Sequence, residues 1–276
     1  MDNLNSHVEK HYTRDGLFEV IVQKLKDNGI EKDKITRKDI SQVDEFHLRG
    51  SLATQELVNE AGFDKDTKVL DVGCGIGGPA RMIAETFGCK VTGVDLTEEF
   101  IRTAKLLSEL VGLNDLTEFI CADATKLPLA DESYDIVWTQ HAQMNIKEKK
   151  KLYSEIYRVL KKGGRFIYYD IFSVGNESLY FPLPWAEEST ISHLITIPDY
   201  NELLTETGFK EVQKKDQTEN SANFIKEMFA KVAKEGPPKI GLNLLMKETS
   251  IEKLKNVLRN ITDNKMAVQN GIYQKI

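Results

Sequence analysis

Three features of the chain have the residue types and spacing to hold a polar nucleotide. The first is the glycine-rich run Val69-Leu70-Asp71-Val72-Gly73-Cys74-Gly75-Ile76-Gly77-Gly78. Glycines at such a turn let the chain reverse sharply and let a ligand approach the backbone without a Cβ in the way. The N–H groups at the start of the following helix favour a polar or anionic ligand group. The second is Asp95, about 20 residues on, where a carboxylate can accept both hydrogen bonds of a ribose diol. The third is Asp123, in Cys121-Ala122-Asp123-Ala124. The loop by itself satisfies GxGxxG, a pattern also met in turns that bind nothing. Asp71 sharpens the choice of ligand, because a nicotinamide dinucleotide would bring its pyrophosphate beside that carboxylate. A ligand with an ammonium group and no phosphate suits it better. S-adenosylmethionine (SAM) is such a ligand, with its ribose at Asp95 and its adenine amino group at Asp123.

These residues have to be positioned by strands that end where the acids stand. TKVLDVG, KVTGVDL, LTEFICAD, SYDIVWTQ and RFIYYDIF are short apolar runs. Between them lie the helical patterns GGPARMIAETFG, EEFIRTAKLLSELVGL and KEKKKLYSEIYRVLKKGG. Strands alternating with helices imply βαβ units and a parallel sheet covered on both faces. Upstream, residues 15–28 and GSLATQELVNEAGF read as helices, separated by a charged, weakly patterned segment. Downstream, 174–198 holds three of the seven prolines and reads as a loop or short helical insertion. PDYNELLTETGF, 218–235 and 250–262 read as helices. KEVQKKDQ reads as an edge strand and MAVQNGIYQKI as a closing strand.

Composition narrows the partners. The 276 residues carry 37 Lys and Arg against 43 Asp and Glu, a net charge of −6. That balance argues against nucleic acid as the main partner, since backbone binding is carried by clustered basic side chains. Cys74, Cys89 and Cys121 form neither a CxxC pair nor a Cys/His metal spacing, so neither a disulfide framework nor a metal site is expected. No run approaches the roughly 18 apolar residues of a membrane span. The polar first 15 residues lack the apolar region of a secretory signal. A cytoplasmic location is the expectation, and self-association is left open.

VLDVGCGIGGPA, VTGVDLT, CADATKLPLADESYDIVW and RVLKKGGRF, in this order and spacing, resemble the successive motifs of class I SAM-dependent methyltransferases. The resemblance covers residues 67–170. It implies a Rossmann-like, doubly wound α/β fold with a mostly parallel seven-stranded sheet, a helical N-terminal segment and helical lid insertions. It implies Asp71, Gly73 and Gly75 around the methionine part, Asp95 on the ribose and Leu96 against the adenine. It also implies Asp123 and Ala124 at the adenine, with Gln140 beside the cofactor after the fourth strand. The chain then divides into a cap segment at 1–62, a SAM-binding core at 63–173, and substrate-cap insertions with terminal strands at 174–276.

The acceptor is read from the flanks. The Asn/Asp-Pro-Pro-aromatic motif of methyltransferases that modify base amines is absent from Trp138-Thr139-Gln140-His141-Ala142-Gln143-Met144-Asn145. QHAQMN, His11-Tyr12, Asp44–Gly50 and Tyr180–Trp185 look similar to small-molecule enzymes of the sarcosine/dimethylglycine N-methyltransferase type. Phosphoethanolamine methyltransferases are a more distant likeness. Related phosphobase enzymes carry a tyrosine lid in a similar N-terminal stretch, and a catalytic histidine near the place where Asn145 stands here. A protonated amine cannot attack, so His141, His47 and Tyr12 are the candidate catalytic groups. Tyr12 and Trp185 could present aromatic faces to a sulfonium or a methylated ammonium. Arg49 could hold a carboxylate bidentately. Each has a plainer reading: His141 as a loop cap, His47 and Trp185 as packing groups, Arg49 as the partner of Asp44 or Glu45.

The expected activity is transfer of a methyl group from SAM to a small-molecule acceptor, most simply an amine such as sarcosine or dimethylglycine. The alternatives are carbon or oxygen methylation of a larger aromatic or lipid-like acceptor, and methylation of phosphoethanolamine. Outside the class stand a nicotinamide oxidoreductase, which Asp71 disfavours, and a non-catalytic SAM-binding protein.

Overall fold

The computed structural model describes residues 2–13, 15–175, 177–238, 240–241, 243–246 and 249–276. Four helices precede the sheet: α1 (Asp2–Tyr12), α2 (Leu17–Asp27), α3 (Arg37–Asp44) and α4 (Ser51–Ala61). The alternating region follows as β1 (Lys68–Val72), α5 (Gly78–Phe87), β2 (Lys90–Asp95), α6 (Glu98–Leu110), β3 (Thr117–Cys121), β4 (Tyr134–Gln140), α7 (Lys149–Val159) and β5 (Leu160–Ser173). The chain ends as α8 (Ile197–Thr207), β6 (Phe209–Asp216), α9 (Thr218–Glu235), α10 (Asn243–Met246), α11 (Ser250–Thr262) and β7 (Met266–Lys275).

Among the described residues the sheet has seven strands in the order β3-β2-β1-β4-β5-β7-β6. All run parallel except β7, which is antiparallel to both its neighbours. Period-two alternation sorts the strand residues between two cores. In β1, Val69 packs toward α4 and α5, whereas Leu70 and Val72 pack on the opposite face with Leu152, Tyr153 and Ile156 of α7. Edge strand β6 buries only Phe209 and exposes most of its charged residues, which blunts the edge against further pairing. The chain leaves β1 toward β2 and β3, then returns to lay β4 on the other side of β1. The carboxyl ends of β1 and β4 therefore flank a topological switch point, where open α/β sheets form a crevice.

Two segments that read weakly in the sequence are ordered helix. The charged stretch after residue 30 forms a 3₁₀ turn at Lys32–Lys34 and then α3. Thr36 and Asp39 start α3 as a capping box. The polar N-terminus forms α1, whose Val8 is buried and whose Tyr12 packs between Phe46 and Phe100. α2 and α3 pack through Leu17, Ile21, Ile40 and Val43 onto Phe100 and Leu107 of α6. α7 gives way to β5 at Leu160, before the glycines expected to stop the helix, because Leu160 already pairs with Tyr134.

The fully buried guanidinium of Arg81 joins these layers. It donates to Asp44 Oδ2 at 2.8 Å, to the Ile76 carbonyl at 2.6 Å and to the Ala104 carbonyl at 3.1 Å. One side chain on α5 thus fixes α3, the glycine loop and α6 together. Burial pushes the Asp44 carboxyl up to about 6, and Arg81 opposes that rise. Gly78, at the first turn of α5, completes the fit, since a Cβ there would lie 2.1 Å from the Asp44 carbonyl oxygen. Arg81→Met should cost about 3–5 kcal/mol of folding stability, because it strands a buried carboxylate. The fall should be read as a lower urea midpoint, and Asp44→Asn in the same chain should recover part of it.

Candidate active site

The crevice at the switch point holds a cavity of about 540 Å³, within the size range of small-molecule sites. Asp71, Gly73, Gly75, Asp95, Leu96, Asp123, Ala124 and Gln140 all line it, as do Tyr12, His47 and His141. The carboxyl ends of β1, β2, β3 and β4 supply the first group; α1 and the loops after α3 and β4 supply the second.

The acids at the strand ends sit in different electrostatic settings. Asp95 accepts from the Gly75 N–H at 3.0 Å and from the Thr97 N–H at 2.9 Å, so it braces the glycine loop as well as facing the cavity. Burial raises its carboxyl above the ordinary range, against the pull of those two bonds. Asp123 accepts from the Thr125 N–H and hydroxyl and from the Asn5 amide of α1. Burial opposes its ionisation, but these hydrogen bonds prevail and hold its carboxyl low. Asp71 lies deepest. Burial, with Glu45 and Asp95 nearby, pushes it up to about 8, and its Oδ2 has no hydrogen-bond partner.

Unpaired buried polar atoms are costly, so they point to a ligand that completes them. Asp71 Oδ2 is one. Gln140 supplies another, because its Oε1 accepts from Trp138 Nε1 at 2.9 Å and from the Thr54 hydroxyl at 3.2 Å, leaving Nε2 buried and unpartnered. An unpaired carboxyl oxygen and an unused amide donor on the wall of one cavity match the ammonium and carboxylate ends of a methionine moiety. The loop leaves room for it, since a Cβ at Gly75 would meet nothing within 4 Å. At Gly73, by contrast, a Cβ would lie 2.4 Å from Ala142 Cβ, so the glycine lets the loop after β4 close down. The residues present fit SAM. Among the described residues no group of three or more His, Cys, Asp and Glu side chains could hold a metal ion.

The candidate catalytic groups are all engaged within the protein. The Tyr12 hydroxyl donates to Asn145 Oδ1 at 2.8 Å, and burial raises its pKa, so it stays a phenol. Asn145, at the position given to histidine in the phosphobase pattern, donates in turn to the carbonyls of Trp185 and Ile191. His47 places Nε2 at 2.9 Å from Glu45 Oε2 and Nδ1 at 3.3 Å from the Leu48 carbonyl. His141 has a left-handed φ of 48° and stacks on Tyr169 at 5.0 Å. Its Nδ1 receives the Leu48 N–H at 3.4 Å, and its Nε2 is buried without a partner. Burial, then His47, lowers its pKa well below the usual histidine value.

Arg49 is not part of this gathering. Its own φ of 67° and that of Gly50 at 48° turn the chain so that the guanidinium pairs with Glu56 on α4 and with Gln217. It pairs with neither Asp44 nor Glu45 and does not line the cavity. Trp185 is buried, donates Nε1 to Ser192 Oγ at 3.0 Å, and lines a smaller apolar space beyond His141. Asp44, Phe46 and Phe100, which also line the main cavity, were not singled out by sequence reasoning. The first two lie inside the Asp44–Gly50 run, where a local signal did exist. Phe100 looks like any apolar residue of an amphipathic helix.

Residues 70–168 match the family model described as a methyltransferase domain. An uncharacterised Haemophilus influenzae protein is 34% identical over 187 residues, spanning 66% of this chain and 74% of its own length. The chain belongs to the class I SAM-dependent methyltransferases. A sterol 24-C-methyltransferase of Gibberella zeae is 41% identical over 114 residues, 41% of this chain and 30% of its own length. The chain thus spans less than a third of that relative. Phosphoethanolamine N-methyltransferase 2 of Haemonchus contortus, solved with phosphomonomethylethanolamine and S-adenosylhomocysteine, superposes with a TM-score of 0.73 at 21% identity. That match covers 92% of this chain and 60% of the other, and at such identity it speaks for the fold alone. No helix among the described residues is long and apolar enough to cross a membrane.

Two measurements check the methyltransferase's cofactor site. Asp95→Ala removes a charged hydrogen-bond acceptor, worth about 1.5–3 kcal/mol. SAM affinity measured by calorimetry should fall about 10- to 100-fold. The raised Asp71 carboxyl gives a pH dependence of definite sign. Near pH 7 it is mostly protonated in the free protein, and a cationic ligand favours its ionised form. Binding should therefore release a proton, and affinity should climb with pH and level off above about 8. Calorimetry in buffers of different ionisation enthalpy counts that proton.

Proposed function

We propose that the methyltransferase acts on the amine nitrogen of a small acceptor. The observation that carries this reading is the charge of the cavity wall. Among the described lining residues five are carboxylic acids (Asp44, Asp71, Asp95, Asp123, Glu148), and Lys147 is the lone lysine or arginine. Tyr12, Phe46 and Phe100 add aromatic faces on the same wall. Asp44 is paired with Arg81 and three of the acids face the cofactor, but with a single lysine among these residues the remaining balance still favours an amine and its methylated ammonium product over an acceptor carrying several negative charges. Arg49 contributes nothing to a carboxylate there, so a carboxylated acceptor has to rely on Lys147, His193 or an uncharged donor.

SAM, when bound, supplies an electrophilic methyl group on a sulfonium. Asp71 and Gln140 orient its methionine end, and Asp95 its ribose. Tyr12, held by Asn145, closes the cavity from α1, while Phe46 and Phe100 exclude water beside it. The acceptor nitrogen forms its new bond to carbon with its own lone pair as the carbon–sulfur bond breaks. The surplus proton of the new ammonium leaves to solvent. Tyr12 and His47 are held in hydrogen bonds within the protein and His141 Nδ1 receives the Leu48 N–H, so orientation carries the acceleration on this reading.

Methyl-labelled SAM offered with glycine, sarcosine, dimethylglycine, phosphoethanolamine, a phenol and a prenyl alcohol checks the proposal. Label should enter one or more of the uncharged or zwitterionic amines. Label in the phenol or the alkene, with none in any amine, would overturn it. In the pH profile of kcat/KM, the rising limb should move with the acceptor's own pKa and show no inflection from an enzyme imidazole.

A further inference from the structure

Beyond His141 lies a second space of about 60 Å³, separated from the main cavity only by a shared wall of Tyr12, Phe46, His47 and His141. Its remaining wall includes Leu48, Met144, Ile171, Trp185, Leu254 and Val257. Apart from His141 Nε2, the side-chain polar atoms of this wall are spoken for. The Tyr12 hydroxyl is bound to Asn145, His47 Nε2 to Glu45 and Trp185 Nε1 to Ser192. What remains is apolar surface. A void of this kind forfeits dispersion contacts that an apolar group would restore.

We infer that this annex is an acceptor subsite, and that the acceptor amine carries a short apolar arm which fills it. The inference rests on the amine reading above and names the class of amine. Size sets the arm. A water-sized sphere takes about 10–15 Å³ of such space, so the annex of about 60 Å³ holds about four to six groups of that size, enough for a branched butyl chain and far too few for a sterol nucleus. His141 sets the other requirement. The Leu48 N–H occupies Nδ1, so the neutral ring carries its proton on Nε2, the buried atom without a partner. His141 thus stands in the shared wall as a hydrogen-bond donor that selects an oxygen on the acceptor. An α-amino acid with an aliphatic side chain has all three parts: the nitrogen, the oxygen and the arm.

The test uses sarcosine, N-methylalanine, N-methylvaline and N-methylleucine as probes. If the annex takes the side chain, kcat/KM should rise about fourfold for each methylene buried, up to the branched butyl group. Leu254→Phe, which fills the annex from its partly exposed wall, should abolish that gradient; its folding is verified by S-adenosylhomocysteine binding. A measurement independent of turnover accompanies this. In the wild-type protein saturated with S-adenosylhomocysteine, isobutylamine should shift the Met144 methyl NMR signal and methylamine should not. Sarcosine methylated with a flat or falling series overturns the annex and leaves the amine reading standing. Methylation of none of these amines, or of any amine in the earlier panel, overturns the amine reading. The Met144 signal then decides the annex alone, and its failure to move overturns it.

Discussion

The arrangement depends on a guanidinium that water never reaches. Arg81 has four neighbours within hydrogen-bonding distance, the Ile76 and Ala104 carbonyls, Ser108 Oγ and Asp44 Oδ2, and they belong to three different stretches of chain, α3, the glycine loop and α6. A buried charge of this kind is expensive unless it is paired, and with Nε left without a partner the two terminal nitrogens carry all its hydrogen bonds, so the three stretches have one relative arrangement in which that cost is offset. That arrangement draws the end of α3 against the first turn of α5. There the Asp44 carbonyl comes so close to Gly78 that no side chain fits. Everything that follows α3, from Glu45 to Leu48, is thereby delivered to the mouth of the switch-point crevice. The cap segment is not a lid laid over a finished core; its end is built into the glycine loop.

Gathering acids at that crevice has a cost that the ligand is suited to offset. Asp71 is buried, with Glu45 and Asp95 in its field, and its carboxyl is pushed up to about 8. Such a group is least stable ionised when the site holds no cation, and a sulfonium with an ammonium reverses the balance. Asp123, held low by the Thr125 and Asn5 hydrogen bonds, needs no such help. Asn5 also ties α1 to that acid, so the segment closing the cavity is anchored at a carboxylate of the cofactor site itself. The acid expected at the adenine is also the one that anchors α1.

The legible part of this molecule is the part whose geometry is local. Glycine spacing, strand runs and the acids that end them lie within a few residues of the turns they serve. That is why all eight expected cofactor residues line one cavity and why the helices at 218–235 and 250–262 fall where their periodicity put them. Arg81 was invisible because an arginine in an amphipathic helix reads as a solvent-facing residue, and its acid partner stands 37 residues away. Arg49 misled for the opposite reason. Its chemistry suits a carboxylate, but two consecutive left-handed residues, Arg49 and Gly50, aim it at Glu56. Backbone handedness at a non-glycine residue leaves no mark in composition or periodicity. The role of His141 was equally hidden, since its tautomer is set by the N–H of Leu48, 93 residues earlier.

That tautomer bears on how methyl transfer is accelerated. A general base contributes about 10²- to 10⁴-fold, whereas alignment of two reactants can supply about 7–11 kcal/mol of the barrier, a larger sum. Methyl transfer to a neutral amine asks chiefly for alignment, because the nucleophile brings its own lone pair and the proton can leave afterwards. The side chains answer to that demand. Tyr12 is fixed by Asn145, Asn145 by two carbonyls, His47 by Glu45, and His141 by the Leu48 N–H and the face of Tyr169. His141 bears a left-handed backbone that costs about 1–3 kcal/mol, and the surrounding contacts hold it there. A site organised around proton removal would leave a basic nitrogen facing the acceptor. Here the nitrogens are used as struts, and the one left over, His141 Nε2, is the atom that the Leu48 N–H makes a donor.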